Sequence, residues 1–385
     1  MPKPFNFNLC VGVANLVVSQ CGARDPPHTN VSDLYSVVYD VDNMDYDETQ
    51  TLLFKNINLR WTDQILDMVL ELTFPEPLDH PSDFFEMISE INLMNEGNTM
   101  INIPGPLLKT LIRLKFPMAL DAMTPSQILR IPLPLDLDQP AFDDKNLTVL
   151  SNWCSHMLAG YHNDFRLEIR LKPLQDWSTA LAKFNYWQLN LMRHRFHNYL
   201  IDKIKPYLSG SPFVAVNLNI KHAIHSGNKR DKLRQINKVH YFKINKFIEN
   251  RFKLTHGRYR GRIDVGGNGF DRSLHSIMVI IKPDTDQKYH YNDLESIIIY
   301  GNGRPLHRLT PTICWMTLLK YAPHYLKNDL TEPIYLLLLP DEEMNLHRLS
   351  WFECEVKSRS SVSGEVYLFF NDIATRQIMN GCFLQ

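Results

Sequence analysis

The sequence predicts an all-β protein made of two tandem jelly-roll β-sandwich domains with short helices in their loops. Three observations carry that expectation. A five-part pattern occurs twice in the 385 residues. The segments within each copy read as short strands with period-2 alternation of apolar and polar residues. Proline, 23 residues in all, clusters between the apolar runs, where it ends strands and shapes loops.

The pattern opens on DQILDMVLELTFP from Asp63 and DRSLHSIMVIIKP from Asp271, two strand-like segments of equal length. EINLM from Glu90, with a turn at Gly97, matches ESIIIY from Glu295, with a turn at Gly301 and Gly303. A helix-like run follows each: PGPLLKTLIRL from Pro104 and PTICWMTLLKY from Pro311. Next come the apolar strands ILRIPLPLDL around Ile131 and PIYLLLLP around Ile334. Each copy closes on an alternating strand, with Leu167, Ile169 and Leu171 on one face in the first, and Phe352, Cys354 and Val356 in the second. The offset between copies holds near 207 residues for the first three parts and shrinks to about 187 at the last, which places an insertion in the first copy at roughly residues 136–164. Steady strand spacing with length variation confined to loops is what jelly rolls predict.

Outside the repeat, the apolar run LCVGVANLVV near Leu9 reads as a buried strand rather than a secretory signal, because its charge is thin and Asn15 interrupts it. Apolar residues at helical spacing predict a helix from about Trp177 to Ile204, which Pro206 stops. The turn-rich stretch from Leu208 to Pro212 then marks a boundary, and FVAVNLNI from Phe213 reads as the opening strand of a second domain. The expected domains are residues 1–205 and 206–385.

Hydrophobic content of 44% and charged content of 22% suit a folded chain, and no apolar run reaches the roughly 18–20 residues a spanning helix needs. Six cysteines (Cys10, Cys21, Cys154, Cys314, Cys354, Cys382) without a CxxC pair suggest reduced thiols in a reducing compartment, cytoplasm or nucleus. Glycosylation-type triplets at Asn30 and Asn146 are no more than chance supplies. The net charge is −1, yet residues 1–150 carry 9 Lys/Arg against 21 Asp/Glu and the remainder 32 against 21. Such asymmetry suggests head-to-tail contact between subunits or a polyanionic partner.

Catalytic patterns are missing: no G-x-S-x-G elbow, no P-loop and no H-E-x-x-H motif occurs. Gly266–Gly269 reads as a turn, since no helix signal follows it. His194 and His197 read as part of a solvated basic helix face, and His222 and His225 fall on opposite faces of a strand. Asp143, Asp144, Glu342 and Glu343 lie in loop sequence. The chain is therefore expected to have no catalytic, cofactor or metal site and no small-molecule substrate. The strongest remaining signal is the stretch Lys221–Arg262, with thirteen Lys/Arg against Asp231 and Glu249 and with Tyr241, Phe242, Phe247, Phe252 and Tyr259 interleaved. It reads as a subunit contact with the acidic half, as a surface for nucleic acid or an anionic membrane, or as a long solvated connection.

Taken in order, LELTFP, EINLMNEGNTMINIPGPLLKTLIRL, ILRIPLPLDL and DFRLEIRLKP resemble the first domain of the double jelly-roll major capsid proteins of large eukaryotic DNA viruses, virophages and polinton-like elements. YGNGRPLHRLTPTICWMTLLKYAPHYL, PIYLLLLPDEE and YLFFNDIATRQIMNG resemble the second, with Asn371 and Arg376 at the family's spacing and Gln377 as one extra residue before Ile378. The resemblance covers nearly all of residues 50–385; the first 50 match weakly. It implies a structural virion protein whose homotrimer, a pseudo-hexagonal capsomer, tiles an icosahedral shell beside neighbouring capsomers and minor capsid or penton proteins. Contact of the basic stretch with genome or inner membrane stays open beside its reading as a subunit contact. Two alternatives remain: a transient viral scaffold of the same fold, and a nucleic-acid-binding protein using residues 221–262.

Overall fold

The computed structural model describes residues 6–11, 14–19, 28–36, 50–55, 57, 64–78, 81–95, 97–116, 123, 126–135, 165–173, 213, 215–225, 239–264, 273–284, 289–321, 333–338, 351–379 and 382–384. The chain divides into two compact units. One comprises Met1–Leu137, Asn146–Phe242 and Arg376–Gln385, the other Asp138–Lys145 and Lys243–Thr375.

In the first unit the elements run β1 (Asn6–Val11), β2 (Ala14–Ser19), β3 (His28–Ser36), β4 (Gln50–Phe54), β5 (Gln64–Leu78), a 3-10 turn (Pro81–Met87), β6 (Ile88–Asn95), β7 (Asn98–Pro104), α1 (Gly105–Lys115), β8 (Ser126–Pro132), β9 (Phe165–Leu171) and β10 (Ala215–His225). They form one sheet of order β1-β2-β3-β10-β5-β8 and a second in which β7, β6, β9 and β4 are neighbours. The second unit holds most of β11 (Val239–Leu254), then β12 (Arg258–Ile263), β13 (Ser273–Pro283), a short 3-10 turn (Tyr291–Asp293), β14 (Leu294–Gly301), β15 (Arg304–Leu309), α2 (Pro311–Tyr321), β16 (Ile334–Leu338), β17 (Phe352–Ser358) and most of β18 (Gly364–Met379); β19 (Cys382–Leu384) pairs with the end of β18. Here the sheets run β11-β18-β13-β16 and β15-β14-β17-β12.

The two orders coincide element for element. β3-β10-β5-β8 in the first unit corresponds to β11-β18-β13-β16 in the second, and β7-β6-β9-β4 to β15-β14-β17-β12, with a helix after the seventh and fifteenth strands. Eight strands folded into two four-stranded sheets in this order make a jelly roll, so the fold is a double jelly roll. The five-part sequence pattern marks β5/β13, β6/β14, α1/α2, β8/β16 and β9/β17. The shrinking offset is also explained: 32 residues separate β8 from β9, and 13 separate β16 from β17.

Alternation places the core. Phe165, Leu167, Ile169 and Leu171 of β9 are buried while Arg166, Glu168 and Arg170 face outward, and β17 repeats this with Phe352, Cys354 and Val356 inside. Leu70 and Leu72 of β5, Ile131 of β8 and Leu218 of β10 pack inward from the opposite sheet of the first unit. Phe74, Phe84 and Phe213 meet edge to face with centroids 5.3–6.0 Å apart. In the second unit Ile277 through Ile281 of β13 and Val366 through Phe370 of β18 are buried at every position, so both faces of that sheet centre are out of water. The unbroken apolar run IMVII from Ile277 has the composition this requires.

Three expectations change. The strand from Phe213, read as opening the second domain, closes the first: β10 lies hydrogen-bonded between β3 and β5, with Leu218 opposite Tyr35 on one side and Leu70 on the other. The compact units accordingly part inside β11, between Phe242 and Lys243, rather than between residues 205 and 206, and Arg376–Gln385 groups with the first unit. The N-terminal apolar run is two strands, β1 and β2, paired antiparallel from Asn6 opposite Ser19 to Val11 opposite Ala14. The helix expected at 177–204 lies outside the described residues.

A two-residue turn sets strand register in the β14–β15 hairpin, and a turn of the same form passes the chain from β11 to β12, which lie in different sheets and meet only where Thr255 bridges Arg258. His256 and Gly257 have φ of 49° and 72°, and Asn302 and Gly303 have 48° and 77°, the left-handed pairs that match strand twist. A side chain at Gly257 would run into the backbone oxygen of Ser360, whereas at Gly97 (φ 87°) nothing lies within 4 Å. Gly97→Ala is therefore expected to cost about 1 kcal/mol from φ alone, and Gly257→Ala about 2–3 kcal/mol because strain and a steric clash combine; urea unfolding of the two variants measures the difference.

Candidate interaction surface

Among the described residues the candidates for chemistry do not assemble into a site. His222 and His225 lie on β10, where His222 pairs with Val31 of β3 and Ile65 of β5 at a bulge and His225 pairs with His28. His194, His197, Gly266–Gly269, Asp143, Asp144, Glu342 and Glu343 lie outside the described residues. Among the described residues no group of three His, Cys, Asp or Glu side chains could hold a metal ion. None of the described helices is long and apolar enough to cross a membrane. Cys314 and Cys354 are free and buried, and burial pushes both thiols up to about 12, which makes them packing residues rather than nucleophiles. Asn371, carried over from the family's closing motif, is 5% exposed on β18 opposite Ser276 at the bulge in β13, a structural position. Arg376 falls on the same strand.

What the second unit presents is surface. β12 alternates with Arg258, Arg260 and Arg262 outward and Ile263 inward, because a strand turns successive side chains to opposite faces. Opposite them on β17 stand Lys357, Glu355 and Glu353. Arg260 lies 3.4 Å from Glu353 and 5.3 Å from the centre of the Tyr300 ring. The Tyr300 hydroxyl donates to Glu355 at 2.7 Å, and Lys357 lies 3.1 Å from the same carboxylate. That hydroxyl, with Lys357 and Arg260, holds the Glu355 carboxyl below its ordinary range, and the hydrogen bond raises Tyr300 in turn. Beneath this face Phe252 stacks on Tyr259 at 3.8 Å, and Phe247 and Leu254 are buried. The aromatic residues that are described within the basic stretch therefore serve mainly as packing.

The helices of the two copies differ. α1 packs on the seven-residue turn and on β6 and β7, burying Leu107, Leu108, Leu111, Ile112 and Leu114. α2 packs on β16 and β14 and buries Cys314 and Leu318. Its corresponding turn has three residues, anchored by the Tyr291 hydroxyl to the Pro311 carbonyl and by Tyr335 to the Tyr291 carbonyl. Ile313, Trp315, Met316 and Leu319 are left 41–61% exposed. Sequence reasoning missed this face, although α2 has Met316 where α1 has Lys109.

The charge asymmetry disappears at the structural division. Split at the unit bounds, the sequence holds 23 Lys/Arg and 23 Asp/Glu in the first unit and 18 and 19 in the second. Residues 221–242, with six Lys/Arg against Asp231, fall in the same unit as the acidic N-terminal region and help to balance it. Attraction between an acidic and a basic domain loses its premise.

These features define a double jelly-roll protein of the architecture found in viral major capsid proteins. Its fold is similar to that of PBCV-1 VP54, as fitted into a reconstruction of the virophage Sputnik, with TM-score 0.52 at 10% identity over 91% of this chain and 98% of that one. A quasi-atomic model of the PBCV-1 capsid aligns with TM-score 0.53 at 10% identity over 100% and 98%. The Faustovirus major capsid protein aligns with TM-score 0.54 at 7% identity over 92% of each chain. No protein-family model and no curated protein sequence matches.

Glu355 supplies a check on the surface network. A carboxyl depressed by folding contributes stability above its unfolded pKa and loses it as pH falls through the folded value. Tyr300→Phe removes the largest cause of the depression. The variant is expected to be less stable than the parent at pH 7, with the gap closing as pH drops below the ordinary carboxylate range near 4.5; urea titrations at several pH values measure it.

Proposed function

We propose that the chain is a major capsid protein, a structural rather than catalytic virion component. The observation that carries the reading is the duplication itself: two jelly rolls of identical strand order in one chain, a fold shared along nearly its whole length with viral capsid proteins. Three copies, each supplying two similar domains, give six domains around a threefold axis and hence a tile of pseudo-hexagonal outline. A heterologous contact from the first jelly roll of one copy to the second of the next closes after three subunits. Such tiles cover an icosahedral shell, with minor capsid or penton proteins at its edges and vertices, and the protein resides in the virion.

The contact between copies is not assigned to opposite domain charges, since the units are each close to neutral. A transient scaffold of the same fold is the second reading; the shared fold favours neither, and presence of the chain in mature particles decides between them.

Negative-stain electron microscopy with mass measurement tests the tile. The expected result is particles of three times the 45.0 kDa chain mass with threefold symmetry and a six-sided outline. A monomer that persists at high concentration overturns it.

A further inference from the structure

We propose that the outward face of β12, the strand that follows the His256–Gly257 turn, is a contact for the phosphate backbone of double-stranded nucleic acid, made without reading sequence. From Asn250 to Ile263 the chain has no acidic residue; Arg258, Arg260 and Arg262 are exposed on β12, at the edge of the sheet β15-β14-β17-β12, while Arg251 and Lys253 are exposed on β11 in the other sheet. Arg251 pairs with Glu365 and Arg260 with Glu353. Among the described residues Arg258 and Arg262 make no ion pair, and the outward face of β12 and β17 sets Arg258, Arg260, Arg262 and Lys357 against Glu353 and Glu355, an excess of positive charge. Glu249 and Asp264 stand at the two ends of this segment.

The cations are held in place before any ligand arrives. Thr255 bridges Arg258 across the turn, and the Asn250 side chain both donates to the Asp264 carbonyl and accepts from the Asp264 amide, tying the segment together again at its two ends. Between these ties Phe252 stacks on Tyr259. Successive outward residues on β12 stand about 6.8 Å apart along a line, and guanidinium groups grip phosphate oxygens with two parallel hydrogen bonds. A linear row of arginines fits a linear polyanion.

The same details select among polyanions. Phe252 and Tyr259 are occupied with each other, and the Tyr300 ring lies under Arg260. The face therefore offers no open ring on which an unpaired base could stack, the main device of single-strand binders. No apolar side chain points outward between Asn250 and Ile263, so nothing would enter the acyl region of a membrane. What remains is phosphate contact on a duplex, where affinity falls with salt in proportion to the phosphates neutralised.

The test is fluorescence anisotropy of the full chain with two unrelated labelled duplexes across a range of sodium chloride concentrations. Equal affinity for both is expected, with log affinity falling linearly in log salt. Arg258→Gln combined with Arg262→Gln should flatten the slope by about two, and each alone by about one. Arg130→Gln, which alters an exposed arginine on β8 paired with Glu71, should leave it unchanged. Absence of binding at the lowest salt, a slope that the β12 variants do not alter, an equal effect of Arg130→Gln, or binding to phosphatidylserine vesicles or polyglutamate but not to DNA would each overturn the inference. It does not rest on the capsid reading: threefold tiles that ignore DNA defeat the inference alone, and monomers that bind DNA defeat the tile alone.

Discussion

Both jelly rolls depend on one kind of long-range pairing, the return of the last strand into the middle of a sheet that the early strands began. β10 inserts between β3 and β5, and β18 between β11 and β13. In the first unit this joins Leu218 to Tyr35 and Leu70, residues separated by well over a hundred positions. Until that strand arrives, β3 and β5 have no common neighbour and the apolar faces of β5 and β8 lack part of their sheet. Such pairing must meet a large loop-closure entropy before any contact rewards it, so assembly of each sheet is a late, cooperative event. The hairpins β6–β7 and β14–β15 are local by comparison and need only their turns.

The same contrast explains what could be read in the sequence. The five recognised segments belong to the interior run of each jelly roll, where alternation and the helix after the hairpin are dictated by core packing and therefore look alike in both copies. The strands that open and close each roll do not. β3 reads HTNVSDLYS and its counterpart β11 is a 16-residue basic strand; β10 reads AVNLNIKHAIH and β18 has GEVYLFFNDI. Alternating strands announce that they have a buried face but not which partner they will join, and partner choice is a property of topology. The segment from Phe213 was legible as a strand and illegible as the one that completes the first sheet.

The charge carried by each unit hangs on which roll β10 closes. With a boundary before Pro206, the basic connection falls to the second domain and the chain looks like an acid–base dipole. With β10 closing the first roll, the positive charge of residues 221–242 stays with the acidic N-terminal region, and both units are close to neutral. Net charge is a property of folded bodies, not of sequence intervals, so complementarity inferred from intervals fails wherever a strand crosses the assumed boundary. The part of the basic stretch that survives as a distinct feature is the segment from Asn250 to Ile263. There the strand period separates function from packing residue by residue, with cations outward and Phe252, Leu254, Tyr259 and Ile263 turned toward the core.

Duplication also frees the copies to diverge where the fold does not constrain them. The sheet orders are equal, yet β5 alternates between buried and half-buried positions from Met68 to Phe74 while β13 is buried at every position from Ser276 to Ile281, and α1 is covered by a seven-residue turn while α2 leaves Trp315 and Met316 in water. A monomer gains nothing from exposing four large apolar side chains on one short helix, since each retains the cost of its hydration shell. The cost is avoided in the first copy by a turn only four residues longer. Its persistence in the second copy locates the asymmetry of the protein outside the shared scaffold, in the helix and the β12 strand that the second jelly roll presents on its surface.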